Sequence, residues 1–235
     1  MKAVSVICPF RNEKDNLEEL VGRTFKALAG LYDTSAVEVI IVDDASTDSA
    51  NEIINRLLEV YAGLRLITHG RKMGQAAALS SGFNSASGDI IITMDADLQA
   101  WPEDLPLFLN KMNEGYDLVN GIRLERKERL FLKLSSKLFS FLVSLISGAP
   151  IADAASNFTA VRGKFIKGLE LYANDHRYIV PILKRRGALK IAEVKVRHAK
   201  RQKGRSKYSL GKVVLAVPEF FSFYSRFKKG AYDLN

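Results

Sequence analysis

Two aspartates, Asp95 and Asp97, follow an apolar segment in the stretch GDIIITMDADLQAWP (88–102). In an extended backbone, residues two positions apart point their side chains to the same side. Such a carboxylate pair suits a hard divalent cation, Mg²⁺ or Mn²⁺, that is shared with phosphate oxygens. The alternative is that one aspartate caps the helix predicted to begin at Pro102. The spacing therefore predicts either a metal and phosphate site or a helix cap.

Two further groups of polar residues follow apolar segments nearer the start of the chain. Asp43 and Asp44 end the run EVIIV, where acids often bind the base or ribose of a nucleotide. The alternative for this pair is helix capping, which Ser46 and Asp48 can already provide. The third group, RNE, follows the run VSVICPF, and Glu13 taken singly is better explained as a capping residue. Each group therefore has a functional and a structural interpretation.

The first half of the chain alternates strand-like and helix-like segments. Short apolar runs predict strands at 4–8, 38–42, 64–68 and 89–94, and helical spacing predicts helices at 12–29, 49–61 and 74–85. This alternation is typical of an α/β fold with a mostly parallel central sheet and helices on both faces. Ligands bind beyond the carboxyl ends of such strands, so we expect the three polar loops to line one crevice.

The pattern changes after residue 120. Apolar residues at helical spacing predict a helix over 130–146, and two short runs predict strands at 160–161 and 188–196. The stretch KRQKGRSKYSLGK (200–212) is too polar and basic for a core. We expect one domain over 1–212, with a first half at 1–120 and a basic half at 121–212. An amphipathic aromatic and basic tail follows at 213–235.

The net charge of +9 is divided unevenly along the chain. Residues 1–120 hold 10 Lys/Arg and 18 Asp/Glu, a net charge of −8, whereas residues 121–235 hold 25 and 8, a net charge of +17. This asymmetry favours an anionic partner for the second half: a nucleic acid, phosphates or an anionic membrane surface. The alternative is that the Lys and Arg side chains only solvate helices.

The apolar segments and the cysteine content bear on the compartment. Cys8 is the single cysteine, so no intramolecular disulfide or multi-cysteine metal site can form, and its apolar neighbours predict a buried, inert thiol. No signal-peptide pattern is present, and no stretch reaches the roughly 20 apolar residues of a membrane span. We expect a cytoplasmic protein, associated with the cytoplasmic face of a membrane and not crossing it.

Seven short motifs, in order, resemble those of a known enzyme family. PFRNE (9–13), VDDASTD (42–48), MGQAAALSSGF (73–83) and MDADLQAWPED (94–104) resemble family 2 glycosyltransferases of the GT-A fold. GIR (121–123), DAASNFTAVR (153–162) and RQKGRSKYSL (201–210) resemble the polyprenyl-phosphate sugar transferases within that family, the dolichyl-phosphate mannose synthase group. The resemblance covers about residues 4 to 212 and implies that 1–120 is a donor-binding half and 121–212 an acceptor-binding half.

The resemblance implies roles for individual residues. The residues implied to bind the nucleotide sugar are Pro9, Arg11, Glu13, Asp43, Asp44, Asp95, Asp97, Gln99, Arg201 and Lys207. Asp95, Asp97 and Gln99 match the metal and diphosphate site. Those implied to receive the acceptor phosphate are Arg123, Arg129, Lys133 and Ser136. Asp97, Arg123 and Asp153 are the candidate catalytic residues, and Ser156 and Asn157 match the segment near the sugar. Asn157 replaces a glycine that is commoner in the family, which bears on the identity of the donor.

The reaction implied is transfer of a hexose from a GDP-mannose or UDP-glucose type donor to a polyprenyl or dolichyl phosphate, dependent on Mg²⁺ or Mn²⁺ and inverting. Implied partners are the donor, the lipid acceptor, and a membrane surface or small membrane partner protein, with no nucleic acid. Segments 130–146 and 213–227 would contact lipid or else pack as ordinary core. The alternative is a family 2 enzyme that adds a sugar to a saccharide or other hydroxyl acceptor, with Asp153 as the base.

Two other classes are disfavoured by the residues themselves. A nucleic-acid binder built on KRQKGRSK would have one nearby aromatic, Tyr208, and would leave the acidic loops without a use. A dinucleotide-dependent enzyme is disfavoured because no G-x-G-x-x-G follows the first predicted strand.

Overall fold

Seven strands form a single sheet in the computed structural model, which describes residues 3–124, 130–199 and 211–234. The strands are β1 (Val4–Phe10), β2 (Val37–Asp43), β3 (Leu64–Thr68), β4 (Ile90–Thr93), β5 (Leu118–Arg123), β6 (Thr159–Arg162) and β7 (Ile191–Val196). The α-helices are α1 (Lys14–Leu28), α2 (Ala50–Val60), α3 (Gln75–Ser85), α4 (Leu105–Asn113), α5 (Leu130–Ser147), α6 (Ile179–Arg185) and α7 (Gly211–Lys228). The α/β class expected from the sequence is confirmed.

The order of the strands places the loops of the candidate site at one edge. The sheet runs β3-β2-β1-β4-β6-β5-β7, and only β6 is antiparallel to its neighbours among the described strands. Thr93, which ends β4, pairs with Thr159, which begins β6. The residues just before β6 therefore lie at the edge where β1, β2, β4 and β5 end.

Two apolar cores cover the two faces of the sheet. Because side chains alternate along a strand, Val6 and Cys8 of β1 face one core, which also contains buried residues of α1, α2 and α4. Ile7 faces the other core, with buried residues of α3, α5, α6 and α7. Burial raises the pKa of the Cys8 thiol to about 12, helped by the charge of Asp95, so the expected buried, inert thiol is confirmed.

Two interpretations of local sequence were wrong, and two elements were not predicted. Ser46 and Asp48 do not cap α2, whose first residue follows Ser49 with no side-chain cap. Instead Asp48 accepts a hydrogen bond from the Lys14 N–H at 2.9 Å, so it ties the loop after β1 to the loop after β2. Neither aspartate of the DAD sequence caps the turn at Pro102, which also has no side-chain cap. Strand β5 and helix α6 were not predicted.

The tail helix α7 packs on the body of the protein. Phe223 is fully buried and stacks on Tyr178, with ring centroids 3.9 Å apart. Farther on, the hydroxyl of Tyr232 donates to the buried carboxylate of Asp175 at 2.5 Å. Phe221, on the opposite side of α7, is exposed. Within the described residues, no helix has the length and apolar character that crossing a membrane requires.

Candidate active site

The loop after β4 holds the carboxylate pair singled out in the sequence. Asp95 Oδ1 accepts a hydrogen bond from Gln75 Nε2 at 2.8 Å. Asn157 Nδ2 lies 3.0 Å from Asp95 Oδ2 and 3.3 Å from Oδ1. Asp97 Oδ1 accepts from the Gln99 N–H at 3.1 Å, which closes a short turn. The two carboxylates are thus held differently, Asp95 by side-chain amides and Asp97 by the backbone.

The charge on Asp95 is poorly compensated by the protein. Burial, and then the neighbouring charge of Asp97, raise the pKa of the Asp95 carboxyl to about 6. The amide of Asn157, the charge of Arg123 and the amide of Gln75 act in the opposite direction without cancelling the shift. A divalent cation beside such a pair would remove the repulsion. The donor set therefore fits a cation with oxygen ligands.

Protein side chains alone would not complete a metal coordination sphere here. The described part of the chain contains no group of three or more His, Cys, Asp or Glu side chains that could hold a metal ion. Mg²⁺ is usually bound by one or two carboxylates together with substrate phosphates and water. Asp95 and Asp97 supply that number of carboxylates.

Backbone strain is concentrated in the loops of this edge. Asn12, Ala45 and Leu98 have φ angles of 57°, 56° and 57°. They lie in the loops after β1, β2 and β4 respectively. For residues other than glycine, this left-handed conformation is uncommon and costs free energy. Leu98, between Asp97 and Gln99, is also buried, which fixes the turn that carries Asp97.

The side chain of Gln99 binds the chain that leads into the basic stretch. Gln99 Nε2 donates to the carbonyl of Ala199 at 3.2 Å, and the Ala199 N–H donates to the carbonyl of Gln99 at 2.9 Å. Ala100 and His198 form an adjacent bridge. Arg201 and Lys207, expected to bind the donor, lie outside the described residues. The sequence reaches them two and eight positions after the anchored Ala199.

The carboxylates at the end of β2 bind backbone and side-chain groups of the protein itself. Asp44 Oδ1 accepts from the Met73 N–H at 2.6 Å and lies 3.1 Å from His69 Nδ1, while Asp44 Oδ2 accepts from the Gly74 N–H at 2.9 Å. Burial opposes the charge of Asp44, but these donors outweigh it, so the pKa of its carboxyl lies below the usual range. Asp43 Oδ1 accepts from the Ser46 N–H at 2.8 Å and from its hydroxyl.

The residues after β1 lie next to these loops. Pro9 pairs in the sheet with Val42, and Glu13 accepts from the amide of Asn16 at 2.7 Å. Arg11 Nε is buried and has no hydrogen-bond partner among the described residues. A buried guanidinium nitrogen without an acceptor is costly. An anionic group bound here would satisfy it.

An ion pair lies at the end of β5, where the sequence predicted the acceptor phosphate to bind. Arg123, which ends β5, donates from Nε and Nη2 to the two oxygens of Asp153, both at 2.7 Å. The Asp153 carbonyl accepts from Asn120 Nδ2 at 3.0 Å, and the neighbouring Ala152 N–H donates to Glu193 at 3.0 Å. The pair is therefore fixed from several sides.

The other expected acceptor residues are less well placed by the structure. Ser136 is half-buried on α5, which is the helix that follows β5 and Arg123 in the sequence. Arg129 and the side chain of Lys133 lie outside the described residues. Gln75 was not predicted as a site residue, although MGQAAALSSGF was among the motifs, and Asn157 was matched to the segment near the sugar without a predicted partner. Its contact with Asp95 spans 62 positions, which no local pattern reveals.

Solved structures with the same architecture define the fold class. Glucosyl-3-phosphoglycerate synthase from Mycobacterium tuberculosis, in complex with Mn²⁺, UDP and phosphoglyceric acid, superposes with a TM-score of 0.71 at 20% identity, over 96% of this chain and 78% of that chain. A mannosyltransferase from Pyrobaculum calidifontis, in complex with GDP-Man and Mn²⁺, gives 0.63 at 20% identity, over 86% and 58%. The fold is the GT-A fold.

The family follows from the sequence match. Residues 5–170 match glycosyl transferase family 2, and the chain belongs to this family. Undecaprenyl-phosphate 4-deoxy-4-formamido-L-arabinose transferases from Yersinia pestis (strain Pestoides F) and Yersinia pseudotuberculosis serotype O:3 (strain YPIII) are each 35% identical over 215 residues, 91% of this chain. The chain spans 65% of the length of these curated relatives.

Proposed function

We propose that this protein transfers a sugar, a hexose or a related sugar, from a nucleotide-diphosphate donor to a polyprenyl phosphate. The observation that carries the proposal is that one short segment, residues 153–157, contacts both groups: Asp153 binds Arg123, and Asn157 binds Asp95. A cationic anchor fixed by Asp153 thus lies at the same edge of the sheet as the carboxylate pair. The relatives named for undecaprenyl phosphate support the acceptor class.

The donor would lie across the ends of β1, β2 and β4. Asp95 and Asp97, with Gln99 beside them, would hold Mg²⁺ or Mn²⁺, which when bound offsets the negative charge that builds on the departing nucleoside diphosphate. The nucleoside would lie against Pro9 and Glu13 and the loops that Asp43 and Asp44 hold. Arg11 would supply its buried Nε–H to an anionic oxygen of the donor.

The acceptor needs no general base. A lipid phosphate is already ionised at neutral pH, so its oxygen can form the new bond to the anomeric carbon directly. The bond from that carbon to the diphosphate breaks, and the leaving group keeps the electron pair. Arg123 would orient the acceptor phosphate, with Ser136, Arg129 and Lys133 on the segment that follows. In-line attack inverts the anomeric centre, so an α-linked donor should give a β-linked product.

The basic stretch after Ala199 would complete the donor site. Ala199, which precedes the stretch in the sequence, is anchored on Gln99 in the loop that carries Asp97. Arg201 and Lys207 would then add positive charge to the diphosphate as it leaves. Fixed charges in a site that excludes water contribute on the order of several kcal/mol to the transition state.

An exposed apolar face of α5 would contact the membrane that contains the acceptor. Leu138, Phe141 and Leu145 lie on one side of this helix and are 59%, 59% and 63% exposed. The same helix braces the loop that carries Asp153, since Ser140 Oγ accepts from the Ala154 N–H at 3.2 Å. We expect flotation with anionic liposomes, lost in Phe141→Ser with Leu145→Ser but kept in Leu189→Ser, an exposed leucine elsewhere.

The experiment that tests the function is a screen of nucleotide sugars with a short polyprenyl phosphate and Mn²⁺ or Mg²⁺, scored for lipid-linked sugar. One or more donors should give product, and NMR should show the inverted anomer. Asp153→Asn should spare much of this transfer, because no base is required and an asparagine oxygen can still accept one hydrogen bond from Arg123. Transfer to a saccharide acceptor that Asp153→Asn nearly abolishes would contradict the proposal and favour the hydroxyl-acceptor enzyme. A retained anomer would contradict the inverting mechanism.

A further inference from the structure

The carboxylate of Asp95 accepts hydrogen bonds from two side-chain amides that lie in different parts of the chain. Gln75 is the first residue of α3, and its Nε2 lies 2.8 Å from Asp95 Oδ1. Asn157 precedes β6, and its Nδ2 lies 3.0 Å from Asp95 Oδ2. Each oxygen of Asp95 therefore has an amide N–H donor.

We propose that Gln75 and Asn157 are positioning residues that fix the Asp95 carboxylate for a divalent cation. The inference rests on the proposed function, since the cation is that of the donor site. A carboxylate beside Asp97 would otherwise turn away from it, because like charges repel. Two amide donors hold the carboxylate in place and still leave lone pairs for a cation. They do so without a positive charge that would compete with the metal.

Both amides are rooted in rigid structure, as a positioning role requires. Gly74, before Gln75, has a φ of 94°, a conformation that favours glycine, and its N–H donates to Asp44. The carbonyl of Asn157 accepts from Thr93 Oγ1 at 2.7 Å, which ties the start of β6 to the end of β4. Asp44 thus holds Gly74 in place, and the next residue, Gln75, binds Asp95.

The two residues have no other visible use in the fold. Neither side chain is part of the apolar cores, and the described hydrogen bonds of both side-chain amides go to Asp95 alone. Residues that hydrogen-bond a metal ligand typically change metal affinity about 10- to 100-fold when removed. We therefore expect an effect on metal affinity that exceeds any effect on stability.

The test is direct measurement of Mn²⁺ binding by electron paramagnetic resonance, with and without UDP or GDP, on the full chain. Gln75→Ala and Asn157→Ala should each raise the dissociation constant for Mn²⁺ about 10-fold or more. Gln75→Met keeps the length of the side chain but removes the hydrogen-bond donor, and it should bind Mn²⁺ as weakly as Gln75→Ala does. Asn84→Ala, an exposed amide on the same helix as Gln75, should bind Mn²⁺ as the wild type does.

The outcomes separate this inference from the proposed function. If the wild type binds Mn²⁺ and both alanine variants bind it equally well, the positioning role is wrong while the metal site stands. If Gln75→Met binds as the wild type does, Gln75 only fills space. If the wild type binds no Mn²⁺ even with nucleotide, both the metal site and this inference are overturned. Because the two residues lie on separate elements, failure of one variant to fold leaves the other to decide.

Discussion

Two pairs of aspartates lie at the same edge of the sheet, Asp43 and Asp44 at the end of β2, and Asp95 and Asp97 after β4. The two pairs differ in the hydrogen-bond donors that their carboxylates bind. Asp44 after β2 accepts from the backbone N–H groups of Met73 and Gly74, and its pKa is lowered. Asp95 after β4 accepts from side-chain amides, faces the charge of Asp97, and its pKa is raised. The sequence presents both pairs in the same way, as acids after a buried strand.

The comparison shows how to separate a structural carboxylate from one available to a ligand. A carboxylate that satisfies buried backbone N–H groups is part of the fold, because its loss leaves those groups without an acceptor. A carboxylate pair whose mutual repulsion the protein does not remove keeps a place for a cation. We therefore expect substitutions in the two pairs to have opposite effects on stability and activity.

The largest effect should come from Asp97→Ala. Metal-dependent turnover should fall on the order of 10³-fold, because several kcal/mol of charge stabilisation on the leaving group are lost. The free energy of unfolding should change by less than about 1 kcal/mol, since the hydrogen bond that Asp97 accepts from the Gln99 N–H only closes a local turn. Initial rates and urea denaturation measure the two. Unfolding of the variant at low urea would show that this pair is structural after all.

The second-largest effect should be a loss of stability, from a substitution in the pair Asp43 and Asp44. Asp44→Asn should lower the free energy of unfolding by about 2–4 kcal/mol, because the new amide turns a donor toward the N–H of Met73 or Gly74. Urea denaturation at pH 7 measures it. A variant as stable as the wild type would remove the distinction between the two pairs.

A smaller effect of opposite sign is expected at Asp95. A carboxyl whose folded pKa is raised binds its proton more tightly in the folded state, so stability falls as pH rises from about 4 to about 6 and stays lower above that. With a chelator present, Asp95→Asn should therefore be more stable than the wild type at pH 7, by about 1–2 kcal/mol. At pH 4 the two proteins should be equal. If Asp95→Asn is less stable than the wild type at pH 7, the explanation that the charge of Asp95 is uncompensated is wrong.

The smallest effect is expected from Ser46→Ala. The Ser46 hydroxyl donates to Asp43 and accepts from the Asn12 N–H at 3.0 Å, so its loss should cost about 1 kcal/mol. The affinity for Mn²⁺ should not change. Thermal melting and Mn²⁺ titration check both statements, and a weakened Mn²⁺ affinity would mean that the first pair also serves the cation.

The sequence predicted that the polar loops share one edge of the sheet, but it did not predict the long-range contacts that hold those loops. The strand at 64–68 was placed without error, and the acids after β2 and β4 were placed at one edge, because periodicity and strand order are local properties. A strand at 160–161 was predicted, but its antiparallel place between β4 and β5 was not, so the approach of Asn157 to Asp95 and of Asp153 to Arg123 was missed. These contacts join residues far apart in sequence.

The role of Asp44 could not be obtained from the motif either. Its partners Met73 and Gly74 lie 29 and 30 positions away, and they donate through the backbone, which residue types do not reveal. The left-handed conformation of Leu98 was likewise unforeseen, since leucine rarely adopts it and local propensity opposes it. Tertiary packing imposes both.

Thermal melting with and without Mn²⁺ and a nucleoside diphosphate, UDP or GDP, tests the central claim most directly. A ligand at 100 times its dissociation constant stabilises the folded state by about 2.7 kcal/mol, enough to raise the melting temperature by several degrees. Asp44→Asn should melt lower than the wild type yet keep this rise, whereas Asp97→Ala should melt as the wild type does and lose it. A rise retained in Asp97→Ala and lost in Asp44→Asn would contradict the account.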